Sequence, residues 1–392
     1  MKLGYKHTLY ASYLGYITQA IINNLAPLLF VTFQNQFEIS LQQIGLLVSI
    51  NFAIQMIVDV LAVKVIDKLG YRPCIVAAHV LATVGLVGMG IFPFVFPNAY
   101  LGLLTAVFLN AIGGGLLEVL VSPIVEALPG DQKESAMSLL HSFYCWGHVG
   151  VVLLSTLYFV TIGIEYWYFL PMLWAILPLF NIFFFSKVPI RTLEEDCESM
   201  PLKKLFSIKL FWLFFVMMIC SGASEQAMSQ WASLFAETGL KVSKTMGDLL
   251  GPCAFAVLMG LSRLLYGKFG DRIPLKNFIA GSSLLCIISY LIASLSPNPL
   301  LALIGCALCG FSVGIMWPGT FSLGAKYCPQ GGTAMFALFA LAGDVGCSAG
   351  PGVVSLIADQ GLQKGILLAI VFPICMLCAV LVLGRSKRAA KE

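Results

Sequence analysis

Twelve times along its 392 residues the chain returns to an apolar run of about 20 residues, the length that carries a helix across a bilayer. The spans are expected at approximately 7–33, 41–64, 73–93, 99–127, 134–160, 166–187, 207–236, 246–268, 276–296, 299–326, 332–358 and 364–384. Only 11% of the residues are charged and 59% are hydrophobic, against about 25% charge in a soluble domain. So much apolar surface must meet lipid as well as its own core. The net charge of +4 is too small for a polyanion partner, so nucleic-acid binding is set aside, together with disorder and a secreted disulfide scaffold. Met1 to Leu9 carries basic residues and then an apolar run, but no small-residue cleavage site follows, and the first span is expected to be retained.

The basic residues test this count, because Lys and Arg collect on the cytoplasmic side. With the N-terminus inside, all of the 23 Lys and Arg fall in inside segments except Lys241, Lys244 and Lys364. An even number of spans with both termini cytoplasmic follows. The longest polar break, Val188 to Leu205, holds Glu194, Glu195, Asp196 and Glu198 and separates six spans from six. The expected organisation is an N-terminal six-helix bundle over 1–190, a cytoplasmic linker over 191–206 and a C-terminal six-helix bundle over 207–392.

Equal halves suggest an internal repeat, and the loops after the second and eighth spans supply one. Val63-Lys64-Val65-Ile66-Asp67-Lys68-Leu69-Gly70 aligns with Gly267-Lys268-Phe269-Gly270-Asp271-Arg272-Ile273-Pro274. Any short cytoplasmic loop collects such charges, but two copies at the same place in each half point to a device. Asp67, Lys68 and Arg72, with Asp271 and Arg272, form a candidate latch: an Asp at a helix end accepts hydrogen bonds from a neighbouring helix start and pairs with cations.

This loop pattern on two six-helix halves resembles the major facilitator superfamily of secondary transporters. Leu139-Leu140-His141-Ser142-Phe143-Tyr144, Gly222-Ala223-Ser224-Glu225 with Trp231, and Trp317-Pro318-Gly319 further resemble the fucose/glucose/galactose symporter-type sugar permeases. The resemblance implies alternating access of two bundles, with spans 1, 4, 7 and 10 lining the cavity. It also implies carboxylates in spans 1 and 4. Here span 1 offers Gln19, Asn23 and Asn24, so only the acid of span 4, Glu118, carries over, and sodium coupling or uniport stays open beside proton coupling. Val63 and Pro274 stand where the family has Gly.

Ionisable groups at mid-membrane cost a few kcal/mol each. Glu118, His141, His148, Glu225 and Asp344 lie well inside their spans, whereas Asp59, His79 and Glu126 lie nearer cytoplasmic ends and are explained by loop contacts. Glu118 and His141 stand at similar depth on antiparallel neighbours. A carboxylate beside an imidazole can hold or release a proton near neutral pH, so Glu118 is read as a coupling or substrate-binding acid with His141 or Tyr144 as partner. The alternative is a static tie between two helices. Asp344, between Gly343 and Gly346, is read as a second coupling acid or as a statically paired one.

Neutral amides both donate and accept, which suits hydroxyl recognition. Tyr16, Gln19 and Asn23 form one helical stripe, and Asn51, Gln55 and Asp59 another, although such groups also simply hold helices together. Glu225, Gln226, Gln230 and Trp231 lie within two turns of span 7. Trp231 and Trp317 are candidates for stacking on a sugar ring, with an interfacial belt position as the alternative. Gly113-Gly114-Gly115 and Gly350-Pro351-Gly352 are expected to weaken or break their helices. The Cys306/Cys309 and Cys375/Cys378 pairs read as packing.

An HExxH motif is missing, no cofactor is implied, and transport needs no covalent chemistry, so an enzyme is a distant alternative. Span 5 lacks the Gly-Pro signature of antiporters in the superfamily, which argues against drug export. The expectation is an all-α carrier of a small polar solute, a sugar first, working as a proton symporter and a monomer in the cell (inner) membrane. Another solute, such as a drug or organic anion, is the first alternative; a cavity poor in mid-span Lys and Arg disfavours anions, with Arg263 and Lys326 placed at helix ends. A ligand sensor without transport is the alternative of another class.

Overall fold

The computed structural model describes residues 3–129, 133–191, 202–269, 273–328 and 331–389; within these, the side chains at 63, 64, 67, 133–138, 202, 267–269, 332–334, 336, 359 and 384–389 are left aside. Among the described residues are twelve helical spans long and apolar enough to cross a membrane. They are α1 (Tyr5–Phe37), α2 (Leu41–Ala62), α3 (Tyr71–Val95), α4 (Ala99–Glu126), α5 (Leu139–Thr161), α6 (Phe169–Lys187), α7 (Lys209–Gly239), α8 (Lys244–Tyr266), α9 (Leu275–Leu295), α10 (Pro299–Tyr327), α11 (Ala337–Ser355) and α12 (Leu362–Leu383). The chain divides into two compact units, Met1–Glu194 and Glu195–Glu392.

Each unit uses the same pairing. In the first, α1 packs on α4, α5 and α6, α3 on α4 and α6, and α2 on α4; in the second, α7 packs on α10, α11 and α12, α9 on α10 and α12, and α8 on α10. Adding six to each helix number of the first set yields the second, so the internal repeat extends from the loop sequences to the packing.

Lipid tails provide no hydrophobic drive for helix association, so close approach over small residues has to hold the bundles together. The α7–α11 seam shows how. A Cβ on Gly346 would run into Ile219 O and one on Gly350 into Ala223 O, and Gly222 faces Gly343 O in the same way. Backbone lies on backbone there. Gly350-Pro351-Gly352, expected to break this helix, instead lies inside a continuous one running Gly332–Ser355. Gly113-Gly114-Gly115 likewise does not interrupt its helix, since α4 is continuous over Ala99–Glu126. A Cβ at Gly115 would stand 3.1 Å from Gln55 Cα, so that glycine brings α2 and α4 together.

The real interruptions lie elsewhere. Pro27 opens a 3-10 turn over Ala26–Leu29 within α1, π-helical turns occupy Phe235–Gly239 in α7 and Leu249–Cys253 in α8, and α10 breaks between Val313 and Met316.

Arg72 departs from the latch expectation. Its guanidinium donates to Phe185 O at 2.7 Å and Val188 O at 2.8 Å, satisfying carbonyls at the end of α6 that have no intrahelical donor. Within its own unit it therefore ties the start of α3 to the end of α6. Lys68 is exposed, and the Asp67 side chain, Asp271 and Arg272 lie outside the described residues. Lys244, an exception to the charge rule, lies 3.1 Å from Asp248 and 3.8 Å from Glu237.

Candidate functional site

The two amide stripes of the N-terminal unit meet. Gln19 Nε2 on α1 donates to Gln55 Oε1 on α2 at 2.9 Å and to Glu118 Oε2 on α4 at 3.4 Å. Asn23 Oδ1 accepts from both Asn51 Nδ2 and Gln55 Nε2, each at 3.1 Å. One relay, Glu118–Gln19–Gln55–Asn23–Asn51, thus crosses three helices. The four amides are buried, while Glu118 is half-buried. Gln19 Oε1 is buried without a hydrogen-bond donor, and a Cβ on Gly114 would stand 3.0 Å from it. Glycine therefore places no side chain of α4 against that acceptor.

One bond of the Glu118 carboxylate runs to α1, which packs on both α4 and α5 and presents Gln19 to the acid. On α5, His141 lies edge-on to the Tyr16 ring at 5.0 Å between centroids, and Tyr144 OH accepts from Asn24 Nδ2 at 3.4 Å. His148 falls on the same α5 stripe, at i+7 and i+4 from these two, and is buried.

Two groups read as loop contacts are interior. Asp59 is 2% exposed, because its helix continues to Leu69, about 15 Å further at 1.5 Å per residue. His79 is fully buried. Its Nδ1 lies 2.7 Å from Ile75 O, and its Nε2 lies 2.8 Å from Asn181 Nδ2, which also donates to Ala11 O at 3.0 Å. A carbonyl can only accept, so Nδ1 carries the proton and Nε2 accepts. His79 is therefore a neutral tie joining α3, α6 and α1.

In the C-terminal unit a second polar run lies on α7. Gln230 Nε2 donates to Gln226 Oε1 at 2.9 Å, and Gln226 Nε2 to Glu225 Oε1 at 3.3 Å. All three are buried. Trp231 is 0% exposed, and its indole N–H donates to Pro351 O at 3.3 Å. It is a core residue joining α7 to α11, neither a belt tryptophan nor an open stacking face. Trp317 is half-buried and lies against Gly343, where a Cβ would collide with its ring. The adjacent Asp344 is 2% exposed. Of the cysteine pairs, Cys306 and Cys309 are buried, whereas Cys375 and Cys378 are exposed.

The residue that spacing misplaced is Arg263. Three positions from the end of α8, it reads as a helix-end cation, but it is 7% exposed and donates from Nε to Gly314 O at 2.8 Å. The sequence held one signal: Pro318 has no N–H and so leaves the carbonyl four residues earlier, Gly314 O, without its helical donor.

Twelve membrane-length helices in two matching six-helix units, with buried polar relays in each, define a polytopic membrane carrier. The chain belongs to the Major Facilitator Superfamily, whose family model matches residues 12–351. A curated relative is the multi-drug resistance efflux pump PmrA of Streptococcus pneumoniae serotype 4, 22% identical over 367 residues and covering 90% of each chain. Among solved structures, the fucose:proton symporter FucP of E. coli superposes with a TM-score of 0.70 at 17% identity, covering 95% of this chain and 98% of that one. A D-xylose-proton symporter superposes with a TM-score of 0.76 at 15% identity, covering 96% and 95%.

Proposed function

We propose that the chain is a proton-coupled sugar symporter of the cell (inner) membrane, working as a monomer by alternating access. The observation that carries this reading is the relay ending at Glu118. A half-buried carboxylate and the buried Gln19 Oε1, which has no donor, are both acceptors, and Gln19 Nε2 is the donor beside them. Hydroxyl groups can donate to the first two while accepting from neighbouring amides, which matches a polyol better than an amphipathic cation. Glu118 is the proposed coupling acid, because adding or removing its proton changes whether it accepts or donates within the relay. Asn23, Asn51, Gln55 and Tyr144 complete the proposed N-terminal part of the site, with His141 assisting the proton. Glu225, Gln226, Gln230 and Trp317 are proposed solute-binding residues of the C-terminal unit, and Asp344 is a proposed second coupling acid.

A second reading is export of an amphipathic compound, supported by the similarity to an efflux pump along 90% of the chain. Uptake of labelled hexoses into proteoliposomes, under an imposed proton gradient and then a sodium gradient, separates the two. Proton-driven accumulation of a hexose is expected. Proton-driven movement of an amphipathic dye with no hexose uptake would overturn the sugar reading in favour of export.

A further inference from the structure

Two thiols meet in the C-terminal unit, outside the residues assigned to the solute. Cys286 of α9 and Cys309 of α10 are both 0% exposed, and their Sγ atoms lie 3.9 Å apart. The helices are in backbone contact beside the pair: a Cβ at Gly305, one turn before Cys309, would stand 2.7 Å from Ala293 N and 2.9 Å from Ser289 O of α9. The thiol protons hold little in place. Cys309 Sγ stands 4.0 Å from Ser224 O of α7, but Tyr290 OH donates to that same carbonyl at 2.7 Å, so Ser224 O keeps a partner when Cys309 loses its proton. Two sulfurs in contact, on different helices and with dispensable protons, make a donor set for a soft metal ion.

The surroundings select which ion. Among the described residues no group of three or more His, Cys, Asp or Glu could hold a metal, so an ion that requires four ligands, as zinc does, finds too few. A monovalent ion between two thiolates leaves a net negative charge in an apolar interior, where an uncompensated charge is costly. A divalent ion that takes two ligands in line leaves none. We propose that Cys286 and Cys309 form a binding site for mercuric ion, held as a neutral bis-thiolate between α9 and α10. With metal–sulfur bonds of about 2.3 Å, a linear sulfur–metal–sulfur unit spans about 4.6 Å. That is slightly more than the present separation, and rotating the two side chains about Cα–Cβ supplies the difference while the backbones stay in contact. Each thiol gives up its proton, and two sulfur–mercury bonds replace two S–H bonds with no change of oxidation state. Where the ion arrives as neutral mercuric chloride, two chlorides leave with the two protons. The route is short, since Leu284, Ile288 and Leu291 of α9 are exposed on the outer surface of the same helix. The site belongs to the α9–α10 seam and is independent of which solute the carrier moves.

The full-length protein in lipid nanodiscs, loaded with mercuric chloride and then washed with excess 2-mercaptoethanol, tests it with no solute present. A site with two sulfurs holds the ion against a monothiol far better than one sulfur does, because the second bond forms at high effective concentration. Wild type should therefore retain one more mercury per chain than Cys286→Ala or Cys309→Ala, and each of these variants should release that ion about 100-fold faster. Removing both thiols should add nothing to removing one. Cys306→Ala, one turn away on α10, and Cys375→Ala, on the exposed pair of α12, should retain as much as wild type. X-ray absorption of the loaded wild type, minus that of Cys286→Ala, should show mercury with two sulfur neighbours in line. Equal retention by wild type and both single variants, loss of the same ion in Cys306→Ala, or a difference spectrum with one sulfur neighbour would each overturn the proposal. If Cys309→Ala does not fold, Cys286→Ala against Cys306→Ala decides the matter, because only the first removes a proposed ligand. Failure of hexose uptake would leave this result standing, and failure to retain the extra ion would leave the sugar reading standing.

Discussion

The second helix of each unit shows how one fold carries two different interiors. The repeat that aligns Val63–Gly70 with Gly267–Pro274 sets Asn51, Gln55 and Asp59 of α2 against Phe255, Met259 and Arg263 of α8. Both triads face the fourth helix of their unit across glycine: Gly115 meets Gln55, Gly310 meets Phe255, and Gly314 meets Met259. In α2 the first two positions are neutral amides joined to the Glu118 relay. In α8 they are apolar, and the third is a cation that completes a broken helix. Shared packing therefore leaves the chemistry of a position free. The N-terminal unit uses this register for a hydrogen-bonded relay of amides, and the C-terminal unit uses it for a cation that donates to the carbonyl Pro318 leaves without a helical donor.

The strongest way to break this comparison is Glu118→Gln, which removes the only carboxylate of the relay while preserving its shape. Proton-driven uptake should fall by about 100-fold, the scale for losing a positioned proton-transfer group, and uptake assays with thermal stability as a control check it. Next is Gly346→Ala. Its new Cβ meets backbone at Ile219 O, which cannot rotate away, and overpacking of this kind costs about 3 kcal/mol. A large fall in the midpoint of thermal unfolding is the expected readout, and an unchanged midpoint would mean the α7–α11 seam is looser than described. Asn23→Ala leaves the donors of Asn51 and Gln55 without their shared acceptor. That should cost about 2 kcal/mol in stability and weaken apparent substrate affinity, both measurable on one purified sample. The smallest effect belongs to Trp231→Phe, which loses the bond to Pro351 O at roughly 1 kcal/mol. It should lower stability slightly with transport retained, whereas Trp317→Ala should raise KM. The reverse pattern would return Trp231 to the solute site.

The spans were legible because twenty apolar residues in a row admit few structures, and the observed ends fall within a few residues of those read from hydropathy. The amide stripes were legible for a similar reason: Gln19 and Asn23 share a face, as do Asn51 and Gln55, and the structure joins the two faces. Depth and direction were less visible. Asp59 was read as explained by loop contacts because it stands near the cytoplasmic end of the expected 41–64 span, and Arg263 looked like a terminal cation although its rotation on α8 turns it inward. Trp231 carried no mark of being buried, since an aromatic beside polar residues is written the same way in a binding face and in a core. Gly350-Pro351-Gly352 was misread as a break because the sequence does not display the neighbouring backbone, here Ala223 O, that requires its glycine.

The central claim is that Glu118 couples the proton to the solute, and it is tested most directly by following lumenal pH in proteoliposomes when hexose is added outside without any imposed gradient. The account predicts that hexose entry acidifies the lumen of wild-type vesicles, whereas Glu118→Gln exchanges hexose across the membrane without acidification. Acidification by Glu118→Gln at the wild-type rate would contradict it and move the coupling site to another acid.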